Sequence, residues 1–99
     1  MDEEISELRR KIARTRYEFV KTELDTCFTA ADMGQFELRA GNIPVAEREV
    51  AFVESGIRVI GRFVVELPEE QRTAMEARLV ELQAILASLK AELLERTAS

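Results

Sequence analysis

The chain has 99 residues, of which 46% are hydrophobic and 33% charged, with two prolines and four glycines. A single domain of this length buries about 65% of its unfolded surface, so it needs no metal or disulfide to hold a core. The net charge of −5 argues against nonspecific binding to nucleic acid or an anionic membrane. The single Cys27 and the absence of histidine exclude an internal disulfide, a histidine metal site and the commonest general base.

Residues 2–40 predict one long helix, either continuous or bent near Gly34. Three acidic residues at positions 2–4 suit a helix N-terminus, where negative charge is favourable. Apolar residues then recur at helical spacing: Ile5, Leu8, Ile12, Phe19, Val20, Leu24, Cys27, Ala31 and Leu38. At about 1.5 Å per residue, this helix would reach nearly 60 Å.

A tight turn follows at positions 41 and 42. Gly41 stands where a helix end favours a positive φ, and Asn42 can cap the next helix with its side chain. Pro44 falls in the first turn of that helix, where its missing N–H does no harm. The spacing predicts an antiparallel helical hairpin.

A second helix is predicted over about 43–66, ended by Pro68. Its main apolar row has heptad spacing: Val50, Val53, Ile57, Ile60, Val64 and Leu67. A second row lies beside it: Val45, Phe52, Val59 and Phe63. So wide an apolar surface favours a helix that contacts two neighbours.

A third helix is predicted over about 69–96. It has the most regular apolar row of the chain: Met75, Leu79, Leu82, Leu86, Leu89 and Leu93. We therefore expect one all-α domain over residues 1–99, an antiparallel up-down-up three-helix bundle with a long N-terminal helix.

The helix lengths do not match. Roughly the first 16 residues of helix 1 should project beyond the bundle, and they have Ile5, Leu8 and Ile12 on one face. Three exposed apolar side chains in a row need cover, which predicts a second copy of the chain and hence a homodimer. The alternative is that a different protein covers these three side chains.

The back of helix 3 offers a second candidate interface. Its row of mostly small residues is Val80, Ala84, Ala87, Ala91 and Leu94. Alanine is also the best helix former on a solvated surface, and that alternative stays open.

Other candidate sites are weaker. Residues 9–16 include five basic side chains, but Glu7 can pair with Lys11 and no aromatic lies among them, so we predict a solvated flank and no nucleic-acid binding. Glu49 and Gly56 lie near the apolar rows of helix 2. They predict either a ligand-binding slot, or a solvated carboxylate and a close helix contact.

Residues 27–58 resemble one tetratricopeptide-type unit. The resemblance rests on Met33-Gly34, Gly41-Asn42 and Ala46, which match the spacing of the family's leucine–glycine pair, glycine–aspartate turn and second-helix alanine. The family's usual aromatics are replaced by Ala30 and Glu37. The resemblance implies a helical hairpin that binds other proteins, and it supplies no binding residues.

These patterns favour a non-enzymatic helical interaction module that self-associates, with no catalytic residue, cofactor or metal site. The alternative is a small-molecule or peptide sensor that uses the slot near Glu49 and Gly56. The acidic start lacks the features of a signal peptide, and no apolar run approaches the ~20 residues that span a bilayer. A cytoplasmic protein that does not bind membranes is expected.

Overall fold

A computed structural model describes residues 1–98 as an elongated molecule with extents of 65 × 19 × 16 Å. It contains three helices, α1 (Asp2–Arg39), α2 (Ile43–Val64) and α3 (Glu69–Ala98), and no strand within the described range. The predicted all-α three-helix bundle is confirmed. Helix α1 runs without interruption through Gly34.

The helices alternate in direction. Phe19 near the middle of α1 contacts Phe63 at the end of α2, so α1 and α2 are antiparallel. Helix α3 runs parallel to α1, since Arg78 binds Asp25 at 2.6 Å and Arg96, near the other end of α3, donates to the Leu38 carbonyl at 3.1 Å. The Arg78 guanidinium also lies 5.4 Å from the centre of the Phe28 ring.

The turn between α1 and α2 closes with a Schellman motif. Gly41 has a φ of +83° and donates to the Leu38 carbonyl at 3.1 Å, while the Asn42 N–H donates to the Glu37 carbonyl at 2.8 Å. The predicted side-chain cap at Asn42 is wrong: the side chain makes no capping bond, and the Asn42 carbonyl accepts from the Ala46 N–H at 3.1 Å. The two main-chain hydrogen bonds of the Schellman motif already fix the direction of the chain at this turn.

The second junction has four residues, 65–68, one more than the first. Helix α2 ends at Val64, two residues before the expected end, and main-chain bonds from Glu66 to Phe63 and from Leu67 to Val64 tighten its last turn. The Pro68 carbonyl accepts from the Arg72 N–H at 2.8 Å. Pro68 is therefore the residue just before α3, and its carbonyl accepts the first main-chain hydrogen bond of that helix.

The core lies where all three helices overlap. Its α3 residues come from the predicted leucine row, with Met75, Leu82, Leu86 and Leu89 buried. Gly34 allows a close approach, because a Cβ placed there would lie 3.1 Å from Leu89 Cδ2 and 3.3 Å from Glu49 Cβ. Both gaps are tight, so the absence of a side chain at position 34 lets α2 and α3 both pack against α1.

Candidate functional site

The N-terminal part of α1 projects from the bundle. The ion pair between Arg16 Nε and Glu66 Oε2, at 3.4 Å, joins α1 to the residues that follow α2. Before it, Ile5, Leu8 and Ile12 are 48%, 58% and 44% exposed. These residues of the predicted interface are therefore left largely uncovered by the described residues, 1–98.

The exposed residues of the projection continue along the whole of α1 as a surface that we call the outer seam. Its first row repeats every seven residues: Ile5, Ile12, Phe19, Thr26 and Met33. Its second row does the same, three positions later: Leu8, Thr15, Thr22, Thr29 and Phe36. All ten residues are exposed and none is charged, although sixteen of the 38 residues of α1 carry a charge. Alternating steps of three and four residues are the spacing of a helix-pairing surface.

The outer seam is distinct from the core face of α1. At 100° per residue, its centre lies roughly opposite Phe28, the residue that faces Arg78 of α3. The core face consists of the buried residues Val20, Leu24, Cys27, Ala30, Ala31, Gly34 and Leu38. The single apolar stripe read from the sequence of helix 1 is therefore two stripes, and Ile5, Leu8 and Ile12 align with the outer one.

Helix α2 extends this apolar surface beyond α1. The Phe63 ring packs edge-on against Phe19, with centroids 5.1 Å apart, and both rings remain more than one-third exposed. Further along, Met33 and Phe52 line an open groove of about 370 Å³ between the two helices. Two residues of the second apolar row predicted for α2, Phe52 and Phe63, are therefore exposed beside α1, while Val45 and Val59 are half-buried.

The threonines in the middle of the outer seam do not make it hydrophilic. The hydroxyls of Thr15, Thr26 and Thr29 each donate to the carbonyl four residues earlier in α1, at 2.9, 2.9 and 3.0 Å. A hydroxyl bonded to its own helix leaves the γ-methyl as the group that a packing partner meets. At these three positions, the seam can therefore lose its water at little cost in unsatisfied polar groups.

The two residues of the predicted ligand-binding slot are separated. Gly56 is buried, and a Cβ placed on it would overlap Cys27 Sγ, so the thiol fills the space that a ligand would need. Glu49 is half-buried and lines the α1–α2 groove with Met33 and Phe52. Gly56 is therefore a close helix contact, and a groove suited to a ligand lies beside Glu49.

The row on the back of α3 faces solvent. Val80 and Leu94 are 65% and 69% exposed, and the alanines between them are exposed as well. Ion pairs of α3 lie to the sides of this row, as between Lys90 Nζ and Glu54 Oε2 at 3.1 Å. This face lacks the aromatic residues that enlarge the surface formed by α1 and α2.

Two features of residues 1–98 bear on reaction chemistry. Those residues contain no group of three Cys, Asp or Glu side chains placed to hold a metal ion. Burial, and then the nearby Glu23 carboxylate, raise the pKa of the Cys27 thiol, which makes the reactive thiolate scarce at neutral pH. In the same range, no helix is long and apolar enough to cross a membrane.

Sequence reasoning missed the outer seam because four of its ten residues are threonines. A search for apolar residues meets Ile12 and then the consecutive Phe19 and Val20, and it continues along the core face through Leu24 and Cys27. A different pattern in the sequence indicates the seam. All ten positions of its heptad repeat lack a charged residue, whereas charged residues are frequent elsewhere in the same helix.

Comparisons with known proteins assign no relative. No protein-family model, no curated protein and no solved structure matches this chain. The resemblance of residues 27–58 to a tetratricopeptide-type unit stays a prediction, and the candidate site rests on the geometry of α1 and α2 alone.

Proposed function

We propose that this protein is a non-enzymatic helical interaction module that associates with a second copy of itself. The observation that carries the proposal is the outer seam, a stripe of ten exposed uncharged residues at heptad spacing along α1. Apolar surface of this extent is unfavourable in water and is typical of a protein–protein interface. Phe52 in the α1–α2 groove and Phe63 beside Phe19 widen the same surface.

The total solvent-exposed area of the chain supports association with a partner. The chain exposes 6774 Å², whereas a compact monomer of 11.3 kDa exposes about 5,700 Å². The excess of about 1,000 Å² is similar to the roughly 800 Å² that each partner contributes to a stable interface. Association along α1 would bring the exposed area of each chain close to that of a compact protein of the same mass.

Sedimentation equilibrium of Leu8→Glu tests this proposal. A carboxylate in the outer seam would have to be desolvated on association, so we expect the variant to be monomeric at concentrations where the parent protein is dimeric. Ser6→Glu, which adds the same charge two residues away and outside the seam, is the matched control and should stay dimeric. A parent protein that is monomeric at micromolar concentration would rule the proposal out.

Val80→Glu distinguishes the two candidate faces. The row Val80, Ala84, Ala87, Ala91 and Leu94 is the other surface that the sequence predicts for association. Under our proposal, the dimer persists in Val80→Glu and is lost in Leu8→Glu. The reverse result would move the interface to the back of α3.

A second candidate function is favoured by the position of Glu49. One carboxylate in a mostly apolar groove of about 370 Å³ suits a small amphipathic ligand or peptide with a positive group. Thermal stabilisation by such a compound, lost in Glu49→Gln and kept in Glu47→Gln, would support a sensor. Stabilisation that persists in Glu49→Gln would place any ligand elsewhere.

A further inference from the structure

We propose that the two copies pair through α1 in antiparallel orientation, so that the projection of each chain covers the α1–α2 groove of the other. This inference rests on the proposed self-association and adds its geometry. It follows from three properties of α1: the uncharged repeat, the uneven distribution of large residues within it, and the order of the charges beside it.

The large residues of the outer seam lie at its two ends. Ile5, Leu8 and Ile12 form one end, Met33 and Phe36 the other, and threonines fill most of the interval. In an antiparallel pair, the two rows of one helix lie opposite the alternate rows of the other. Ile5 then lies opposite Phe36 of the second copy, and Leu8 lies opposite Met33 of the second copy.

This arrangement covers what each chain leaves open. The projection, in which Ile5, Leu8 and Ile12 are about half exposed, lies beside the part of the second copy where α1 and α2 form the groove. Near the two-fold axis, Phe19 packs beside Thr22 of the second copy, where a small residue leaves room for the ring. The contact uses the same residues on both chains, as a closed dimer requires.

The charges that flank the outer seam select the orientation. In the antiparallel pair, three flanking contacts join opposite charges: Lys11 with Asp32, Arg16 with Glu23, and Glu4 with Arg39 of the second copy. Of these residues, Arg16 also pairs with Glu66 within its own chain. One contact joins like charges, Glu18 with Asp25, and Asp25 already has Arg78 as a partner within its own chain. Each contact occurs twice in the dimer because of the symmetry.

A parallel pair would reverse this balance. Glu4 would still face a basic residue, Arg9 of the second copy. The remaining flanks would bring like charges together: Lys11 with Arg16, Glu18 with Glu23, and Asp32 with Glu37. Juxtaposed like charges at an interface suppress the wrong orientation, so the charge order favours antiparallel pairing.

Charge reversal at Lys11 and Asp32 tests the geometry. The two residues lie 21 positions apart in one helix, about 32 Å, so they do not contact each other within a chain. Lys11→Glu and Asp32→Lys should each weaken the dimer by about tenfold at low ionic strength, because each variant places like charges together twice. The double variant Lys11→Glu/Asp32→Lys restores opposite charges and should regain the parent dissociation constant.

Arg10→Glu is the matched control, since it reverses a charge of the same sign one residue away from Lys11 and outside the flank. It should change the dissociation constant much less than Lys11→Glu. Recovery in the double variant supports the antiparallel pair. A tighter dimer in Lys11→Glu, or no recovery in the double variant, overturns the geometry while leaving self-association standing. A parent protein that is monomeric overturns both.

Discussion

Gly56 of α2 lies directly against Cys27 Sγ of α1, so close that a Cβ on the glycine would overlap the sulfur. The contact is fully buried and lies near the middle of the α1–α2 pair. It explains why a glycine, which lowers helix stability by about 1 kcal/mol relative to alanine, occupies a helix interior. Another glycine of the same helix, Gly61, has no atom within 4 Å of an added Cβ.

Gly56→Ala should therefore destabilise the protein by about 1–3 kcal/mol, because the methyl group displaces Cys27 or separates the two helices. Gly61→Ala is the matched control in the same helix. It should stabilise the protein by up to about 1 kcal/mol, since only helix propensity changes. Urea unfolding at fixed protein concentration measures both.

The double variant Cys27→Ala/Gly56→Ala checks the cause of that effect. With the sulfur removed, the added methyl at position 56 has space, so the double variant should lose less stability than the two single variants predict by addition. Additive losses, or an unchanged stability in Gly56→Ala alone, would contradict the close contact.

The α1–α2 turn gives a second prediction. Gly41→Ala should lower the free energy of unfolding by about 1–2 kcal/mol, because alanine is strained at a φ of +83°. Asn42→Ala should change it by less than about 0.5 kcal/mol, since the Asn42 side chain makes no capping bond. Chemical denaturation of both variants measures the two values. A large loss in Asn42→Ala would show that the side chain does cap α2.

The Cys27 thiol should make stability depend on alkaline pH. Its folded pKa is raised above the ordinary value of 9.0 by burial and by Glu23. As the pH rises through 9, the unfolded chain releases the proton first, so the stabilisation present below that pH is progressively lost up to the folded pKa. The measurement is the free energy of unfolding between pH 7.5 and pH 10.

Cys27→Ala, which has no thiol, is the control for this titration. Its free energy of unfolding should fall less than that of the parent protein over the same range. Equal losses in the two proteins would contradict the raised pKa. Reaction of the native parent with a thiol reagent at pH 8 should also be much slower than reaction of the unfolded chain.

Much of the fold could be predicted because it depends on local properties. The leucine row of α3 and the main row of α2 have a helical period, and Gly41, Pro44 and Pro68 mark the junctions through their backbone preferences. The three helices follow from those signals. The expectation of a projecting N-terminal segment needed only a comparison of helix lengths.

The candidate site was less accessible to the same reasoning. An apolar residue at helical spacing shows that a helix has a buried face, but not which of two adjacent faces the neighbouring helices cover. Phe19 and Val20 are consecutive in the sequence, yet Val20 is fully buried and Phe19 lies at the exposed edge. The position of α2 decides this difference, and it is a property of the packed molecule.

The sequence by itself determined the helices, their order and the excess apolar surface, because periodicity, turn residues and segment length are read locally. Only the tertiary structure decided where that surface lies. It placed α3 on one side of α1 and left the other side open, which separated the outer seam from the core. It also placed Cys27 against Gly56, a contact between residues far apart in the chain that no local pattern encodes.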